Sequence, residues 1–354
     1  MPSLFDPLTI KDITLRNRIG VSPMCQYCYQ DGFSSDWQVV HLGTRAVGGA
    51  GLIITEATAV EPRGRITPFD VGIWSDAHIA PLQRVTQVIK ANGAVPGIQI
   101  AHAGRKASVG QPWTGGNPIP PEDPLGWQVV GASPIAFSPS HQVPKELSLQ
   151  EIASICQLFA DAALRSLEAG FEWLEIHGAH GYLLQSFCSP KSNQRTDRYG
   201  GSFENRIRFL LEVVQAVKVV WPERLPLTVR ISGYEWVEDG WSLEESIELA
   251  KLLKKAGVDL IDCSSGGNLP DASVPKDPGY QVFIADEVRK AAGISTAAVG
   301  LITEPRMAEE IIRSGKADVV LLGREMLRTP YWPLLAAREL GSKGPVPPQY
   351  LRAF

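Results

Sequence analysis

The sequence predicts an α/β fold, a (β/α)8 barrel of TIM type, on three observations. About eight short β-rich runs alternate with longer amphipathic stretches to the C-terminus, glycines mark helix-to-strand junctions, and polar residues follow nearly every run. Bare barrels of this type need ~250 residues, so a chain of 354 leaves room for insertions. We read residues 1–354 as a single domain.

Residues about 5 to 18 read as an N-terminal hairpin or lid. The strand candidates are Ile19 to Met24, Gly51 to Ala57, Val95 to Ile100, Glu172 to Ile176, Leu227 to Ile231, Asp259 to Cys263, Ser295 to Val299 and Asp318 to Leu321. Between them, Ser148 to Glu168 begins with a capping box, Ser148 and Glu151, and ends before Gly170. Ser202 to Val220, Ser242 to Ala256 and Glu304 to Ser314 carry the same apolar periodicity. Gly170, Gly257 and Gly315 each sit where a helix gives way to a strand, a position that favours a left-handed residue. The stretch after the third strand, about Ala103 to Leu147, is rich in proline and tryptophan and lacks helical periodicity. A loop of that length inside a barrel predicts a functional rim over the site.

Composition narrows the partners. Apolar residues make up 44% and charged residues 20% of the chain, with a net charge of -4 and no long basic run. That balance favours small-molecule partners, with no footprint for nucleic acid or an anionic membrane. The N-terminus, MPSLFDPLTI, has neither the basic segment nor the apolar run of a signal peptide, so the expected location is cytoplasmic. Five scattered cysteines fit reduced thiols better than a disulfide framework.

In such barrels the chemistry lies at the C-terminal ends of the strands. Strand one runs into Ser22, Pro23, Met24, Cys25, Gln26 and Tyr27, and strand two into Glu56 and Ala57. Strand three carries Gln99 and His102, strand four reaches His177 and His180, and strand five ends with Arg230. Strand six ends in Ser264-Ser265-Gly266-Gly267, strand seven in Gly300, and strand eight in Gly323-Arg324. Glycines after the last two strands expose backbone N–H groups, and Arg324 adds a fork of donors, a combination that suits a phosphate. An ordinary tight turn with a surface arginine is the alternative.

Glu175 to Tyr182 carries the most chemistry. Two imidazoles in a glycine-rich loop can bind a carbonyl oxygen and stabilise enolate-like charge on it, and Tyr182 can supply a proton. The same residues also read as histidines satisfied in a buried loop. A metal reading would take Glu175 or Cys188 as third ligand, but no HExxH helix accompanies it. Cys25 and Cys28 form a CxxC without a second pair, so zinc is not expected there.

Taken together, SPMCQY (Ser22 to Tyr27), HLGTRAVGGAGLIITEATAV (His41 to Val60), IQIAHAGRK (Ile98 to Lys106) and the long EIHGAHGYLLQSFCSPKSNQRTDRYGGSFENR (Glu175 to Arg206) resemble the old yellow enzyme family. TVRIS, AVGLIT, LLGREMLR and the terminal PPQYLRAF extend the resemblance over the chain, specifically to the short, thermophilic-like branch of FMN ene-reductases. The resemblance implies bound FMN and NADPH as co-substrate, with NADH as the alternative donor. It implies that Pro23, Met24, Ala57, Gln99 and Arg230 line the isoalloxazine, with Ser22 in the same set, and that Gly300, Gly323 and Arg324 hold the phosphate. Cys25 would tune the flavin, His177 and His180 would hold the substrate carbonyl, Tyr182 would give the proton, and Tyr27 would contact substrate. Arg352 matches an arginine that this branch inserts into a neighbouring subunit, which implies a homodimer or homotetramer. Cys28 and Cys188 depart from the branch's usual serine and leucine.

The expected reaction is reduction of activated alkenes, such as enones, by ping-pong hydride transfer from NAD(P)H through FMN. Three rivals stand beside it. One is another FMN barrel reductase of the dienoyl-CoA type, whose iron–sulfur cysteines and extra domains this chain lacks. The others are a metal-dependent hydrolase or aldolase barrel, and a non-catalytic flavin-binding protein.

Overall fold

The computed structural model describes residues 1–353. A hairpin of β1 (Leu8–Ile10) and β2 (Ile13–Leu15) leads into β3 (Ile19–Val21), α1 (Asp36–Val47), β4 (Leu52–Ala59), α2 (Ile79–Ala91) and β5 (Val95–Ala101). After short strands β6 (Val130–Gly131) and β7 (Lys145–Glu146) come α3 (Leu149–Glu168), β8 (Trp173–Gly178), α4 (Leu183–Cys188), α5 (Phe203–Arg206), α6 (Arg208–Val220) and β9 (Leu227–Ser232). The chain ends with α7 (Leu243–Lys255), β10 (Leu260–Ser264), α8 (Val282–Ala292), β11 (Ser295–Ala298), α9 (Pro305–Arg313), β12 (Val319–Leu322), α10 (Arg324–Arg328) and α11 (Trp332–Glu339).

Strands β3, β4, β5, β8, β9, β10, β11 and β12 pair in that order, all parallel, and β12 closes on β3. The eight expected runs are therefore the eight barrel strands. The first is shorter than expected, stopping at Val21, since Pro23 two residues on has no N–H to offer a ladder. The fourth is longer and carries His177 as its penultimate residue.

Local chemistry explains the helices. Ser148 and Glu151 exchange backbone and side-chain bonds at the start of α3, and Ser242 with Glu245 does the same for α7. Helix α6 buries Phe209, Leu210, Val213, Val214 and Val217, a stripe at helical spacing. The Ser202 to Val220 run is two helices rather than one, joined at Ile207.

Leu15, with Leu8, Ile10 and Ile13 against it, packs on Leu52, Trp173, Leu260 and Val319, the first residues of four barrel strands. The N-terminal hairpin thus lids the end of the barrel opposite the rim that carries the polar residues. The segment from Ala103 to Leu147, expected to be a structureless loop because it lacks helical periodicity, is ordered: Val130–Gly131 pairs with Lys145–Glu146, and Arg105 anchors it. Arg105 donates to the carbonyls of Ile135, Ala136 and Asn268. Among the described residues no helix is long and apolar enough to cross a membrane.

Candidate active site

Strand β8 ends by delivering His177, and the chain turns sharply after it. His180 and Gly181 both take left-handed backbone conformations, φ 60° and 74°, so His180 folds back beside His177 before Tyr182 starts α4. The turn is held from two sides. The His180 amide donates to Ser232 Oγ at 2.9 Å, and Lys106 Nζ donates to the carbonyls of His180 (2.8 Å) and Gly267 (2.7 Å). The rings of His177 and His180 lie 5.3 Å apart between centroids, and those of His177 and Tyr182 5.0 Å apart.

Tautomer and charge follow from the surroundings. The Ala179 amide donates to His177 Nδ1 at 3.2 Å, which leaves the ring proton on Nε2 as an outward donor. His180 Nε2 pairs with Ser264 Oγ at 2.7 Å. Burial drives both imidazoles well below the usual histidine range, with the Arg230 charge adding to it. Both are neutral at physiological pH, able to donate without carrying charge. Burial likewise raises the Tyr182 phenol above its ordinary value, so it keeps its proton.

The Cys25 to Tyr29 loop is tied to β4 by Glu56. That carboxyl accepts from the Gln26 amide (2.7 Å) and from Tyr29 OH (2.5 Å), and burial raises it to about 8. Tyr27 is held at φ 50°, its carbonyl accepting from Gln111 Nε2 at 2.7 Å. Cys25 and Tyr27 pack with Tyr182 around Ile66, Ala103 and Ala107. Burial raises the Cys25 thiol well above its usual range, so it is held as a thiol. Ala57 shares a small void with Tyr182.

Ser22, Pro23, Met24, Arg230, Gly300, Gly323 and Arg324 all line one cavity of ≈ 340 Å³ at the ends of β3, β9, β11 and β12. The residues fit a ring that ends in a phosphate. Gly300 stands at φ 126°, and a methyl group there would lie 2.6 Å from Gln281 Cγ, so backbone alone can occupy the position. A methyl on Gly323 would meet only Met24 Sδ, at 3.8 Å, which leaves its backbone open to a ligand. Arg324 is exposed and, among the described residues, has no ion pair.

Arg230 joins the two halves from inside the barrel. Its Nη1 donates to Ser22 Oγ at 3.1 Å, and its Nε lies 3.1 Å from Asp262 Oδ2 without hydrogen-bond alignment. Glu175 accepts from Gln99 Nε2 at 2.9 Å, so Gln99 already spends a donor within the barrel. Burial raises Glu175 and Asp262, and Arg230 opposes the rise in both. Among the described residues, both oxygens of Asp262 and one of Glu175 have no hydrogen-bond partner.

The structure therefore brings together His177, His180, Tyr182, Cys25, Tyr27 and Ala57 at one mouth, with the cradle beside it. It does not bring Arg352 there: that residue is exposed in the tail and lines neither cavity. Sequence reasoning placed Glu56 and Ser264 at strand ends and Ser232 in TVRIS without giving them a supporting role, and it did not single out Asp262. It quoted Lys106 only as part of IQIAHAGRK, where a lysine closing a glycine-rich turn was the available signal. Cys25 and Cys28 are free thiols, and among the described residues no group of three or more His, Cys, Asp or Glu is placed to hold a metal.

Comparison with known proteins identifies the family and the fold. The model of the NADH:flavin oxidoreductase / NADH oxidase family matches residues 3–342. The chain is 47% identical over 353 residues to an NADPH dehydrogenase of Geobacillus sp. (strain WCH70), covering 99% of this chain and 98% of that one. It is 46% identical over 353 residues to an NADPH dehydrogenase of Bacillus subtilis (strain 168), covering 99% of each. Its fold is similar to that of morphinone reductase in complex with tetrahydroNAD, with a TM-score of 0.80 and 27% identity over 97% of this chain and 92% of that chain. A 2-naphthoyl-CoA reductase complex gives 0.84 and 27% over 96% of this chain but 52% of the other.

Proposed function

The chain belongs to the NADH:flavin oxidoreductase / NADH oxidase family, that of the old yellow enzymes, and on that premise we propose that this FMN-dependent NADPH oxidoreductase reduces the C=C bond of α,β-unsaturated carbonyls and similar activated alkenes. Bound FMN would supply the hydride relay, accepting from NADPH and donating to the alkene β-carbon. The protein supplies position and electrostatics. Ser22, Pro23, Met24, Cys25, Ala57, Gln99 and Arg230 would hold the flavin ring, and Gly300, Gly323 and Arg324 would hold its phosphate.

His177 Nε2–H and the second ring nitrogen of His180 hold the substrate carbonyl oxygen. Because both imidazoles are neutral, they stabilise the developing oxyanion by hydrogen bonding without surrendering a proton to it. Tyr182 OH, kept protonated by burial, would deliver the proton to the α-carbon, and the addition would be anti if the hydride arrives on the opposite face. Tyr27 contacts the substrate across the mouth, and Arg352, exposed on the tail, completes the mouth of a neighbouring subunit in a homodimer or homotetramer. We place the enzyme in the cytoplasm.

The observation that carries this reading is the convergence of two neutral imidazoles and a protonated phenol, 5.3 and 5.0 Å apart by ring centroids, beside the cradle. The test is the double variant His177→Ala with His180→Ala. It keeps the yellow chromophore and its bleaching by NADPH, and loses ~10²-fold or more of cyclohexenone turnover. Normal turnover in that variant refutes the assignment.

A further inference from the structure

A second cavity, ≈ 750 Å³, opens beside the loop that follows Tyr27. Cys28, Tyr29, Arg63, Arg65, Gln111 and Trp127 are among the residues lining it, and its size falls in the ~300–1,000 Å³ of small-molecule sites. It shares a wall with the mouth. Gln111 donates to the Tyr27 carbonyl at 2.7 Å, and Trp127 packs in the same apolar cluster as Tyr27 and Tyr182.

The charge in this cavity is uneven. Arg63 is ion-paired with Glu61 at 2.8 Å and lies 3.7 Å from Glu151. Arg65 has no carboxylate within 4.0 Å among the described residues. Its Nε and Nη1 donate to the carbonyls of Pro62 (2.8 Å) and Pro68 (3.0 Å), while among the described residues its Nη2 makes no hydrogen bond. Its guanidinium stands 5.0 Å from the Trp127 ring and 5.4 Å from that of Trp74, while its two hydrogen bonds orient it. Asp31 is the acidic residue in the lining. An oriented, unpaired guanidinium beside a half-buried indole suits a phosphate attached to an aromatic base.

We propose that this cavity receives the adenosine end of NADPH, with the adenine on Trp127 and the 2′-phosphate on Arg65 Nη2. The proposal rests on the reading of the chain as an NADPH dehydrogenase and adds the place where the coenzyme is recognised and the residue that tells NADPH from NADH.

The test titrates the purified holoenzyme with adenosine 2′,5′-bisphosphate and with 5′-AMP by calorimetry, and follows flavin reduction by NADPH and NADH in stopped flow. Wild type is expected to bind the bisphosphate at least tenfold more tightly than 5′-AMP. In Arg65→Gln the Kd for the bisphosphate and for NADPH rises ~10-fold or more, as for a charged hydrogen bond, while that for NADH moves less than twofold. Arg65→Lys, which keeps the charge, recovers part of the NADPH affinity and shows that the fold is intact. Failure of wild type to bind the bisphosphate, or equal weakening of NADPH and NADH in Arg65→Gln, overturns the proposal. Failure of enone reduction with bisphosphate binding intact would instead defeat the assigned substrate and leave this site standing.

Discussion

Replacing Arg230 with methionine tests the buried charges that link cradle and mouth. Arg230 is the cation facing Asp262 at 3.1 Å, and Asp262 is wholly buried. Removing one partner of a buried pair costs about 3–5 kcal/mol, because the other is left uncompensated. Unfolding entropy of ~2.1 cal/mol/K per residue gives about 0.7 kcal/mol per kelvin for a chain of this length, so flavin-stripped protein should melt about 4–7 °C lower. The loss depends on pH. Burial raises Glu175 and Asp262, so above an unfolded carboxylate pKa of ~4 the folded chain binds more protons than the unfolded chain. Stability therefore falls as pH rises through the raised values. Without Arg230 the rise is larger, and both groups stay neutral in mild acid. The variant should sit close to wild type at pH 5 and fall furthest at pH 8.5, and adding Asp262→Asn should recover at least half of the loss at pH 8.5. Thermal unfolding of flavin-stripped wild type, single and double variants across that range measures all three. A drop that is the same at pH 5 and 8.5, or no recovery in the double variant, would refute the reasoning.

Tyr182→Phe should slow reoxidation of the reduced enzyme by cyclohexenone ~10²-fold or more while NADPH still bleaches the flavin; unchanged reoxidation in stopped flow would remove Tyr182 as the donor. Gly300→Ala forces a methyl to within 2.6 Å of Gln281 Cγ at φ 126°. It should cost about 1–3 kcal/mol and weaken FMN retention, which fluorescence of released flavin reports. Since both imidazoles are depressed well below 6.5, the single-turnover enone step should be flat from pH 6.5 to 8.5. A tenfold gain per pH unit on acidification would mean that imidazolium, not imidazole, holds the carbonyl.

Much of the site is local in sequence, and that is why it was legible. His177, His180 and Tyr182 fall within six consecutive positions, and the glycines that shape their turn stand among them. Strand and helix periods follow from which faces are buried, so the barrel was readable from the pattern of apolar residues. The capping boxes at Ser148 and Ser242 were equally local. The supports were not. Ser264 meets His180 from 84 positions away, Lys106 reaches the same turn from 74, and Arg230 meets Ser22 from 208.

The sequence by itself determined the alternation of strands and helices, the order in which polar residues reach the rim, and the turn that places two imidazoles and a phenol side by side. Only the tertiary structure decided which hairpin covers which end of the barrel, that Arg230 faces two buried acids, and that both histidines are neutral. Propensity and periodicity act between residues a few positions apart, whereas desolvation and charge pairing depend on distances that exist only once the eighth strand has closed on the first.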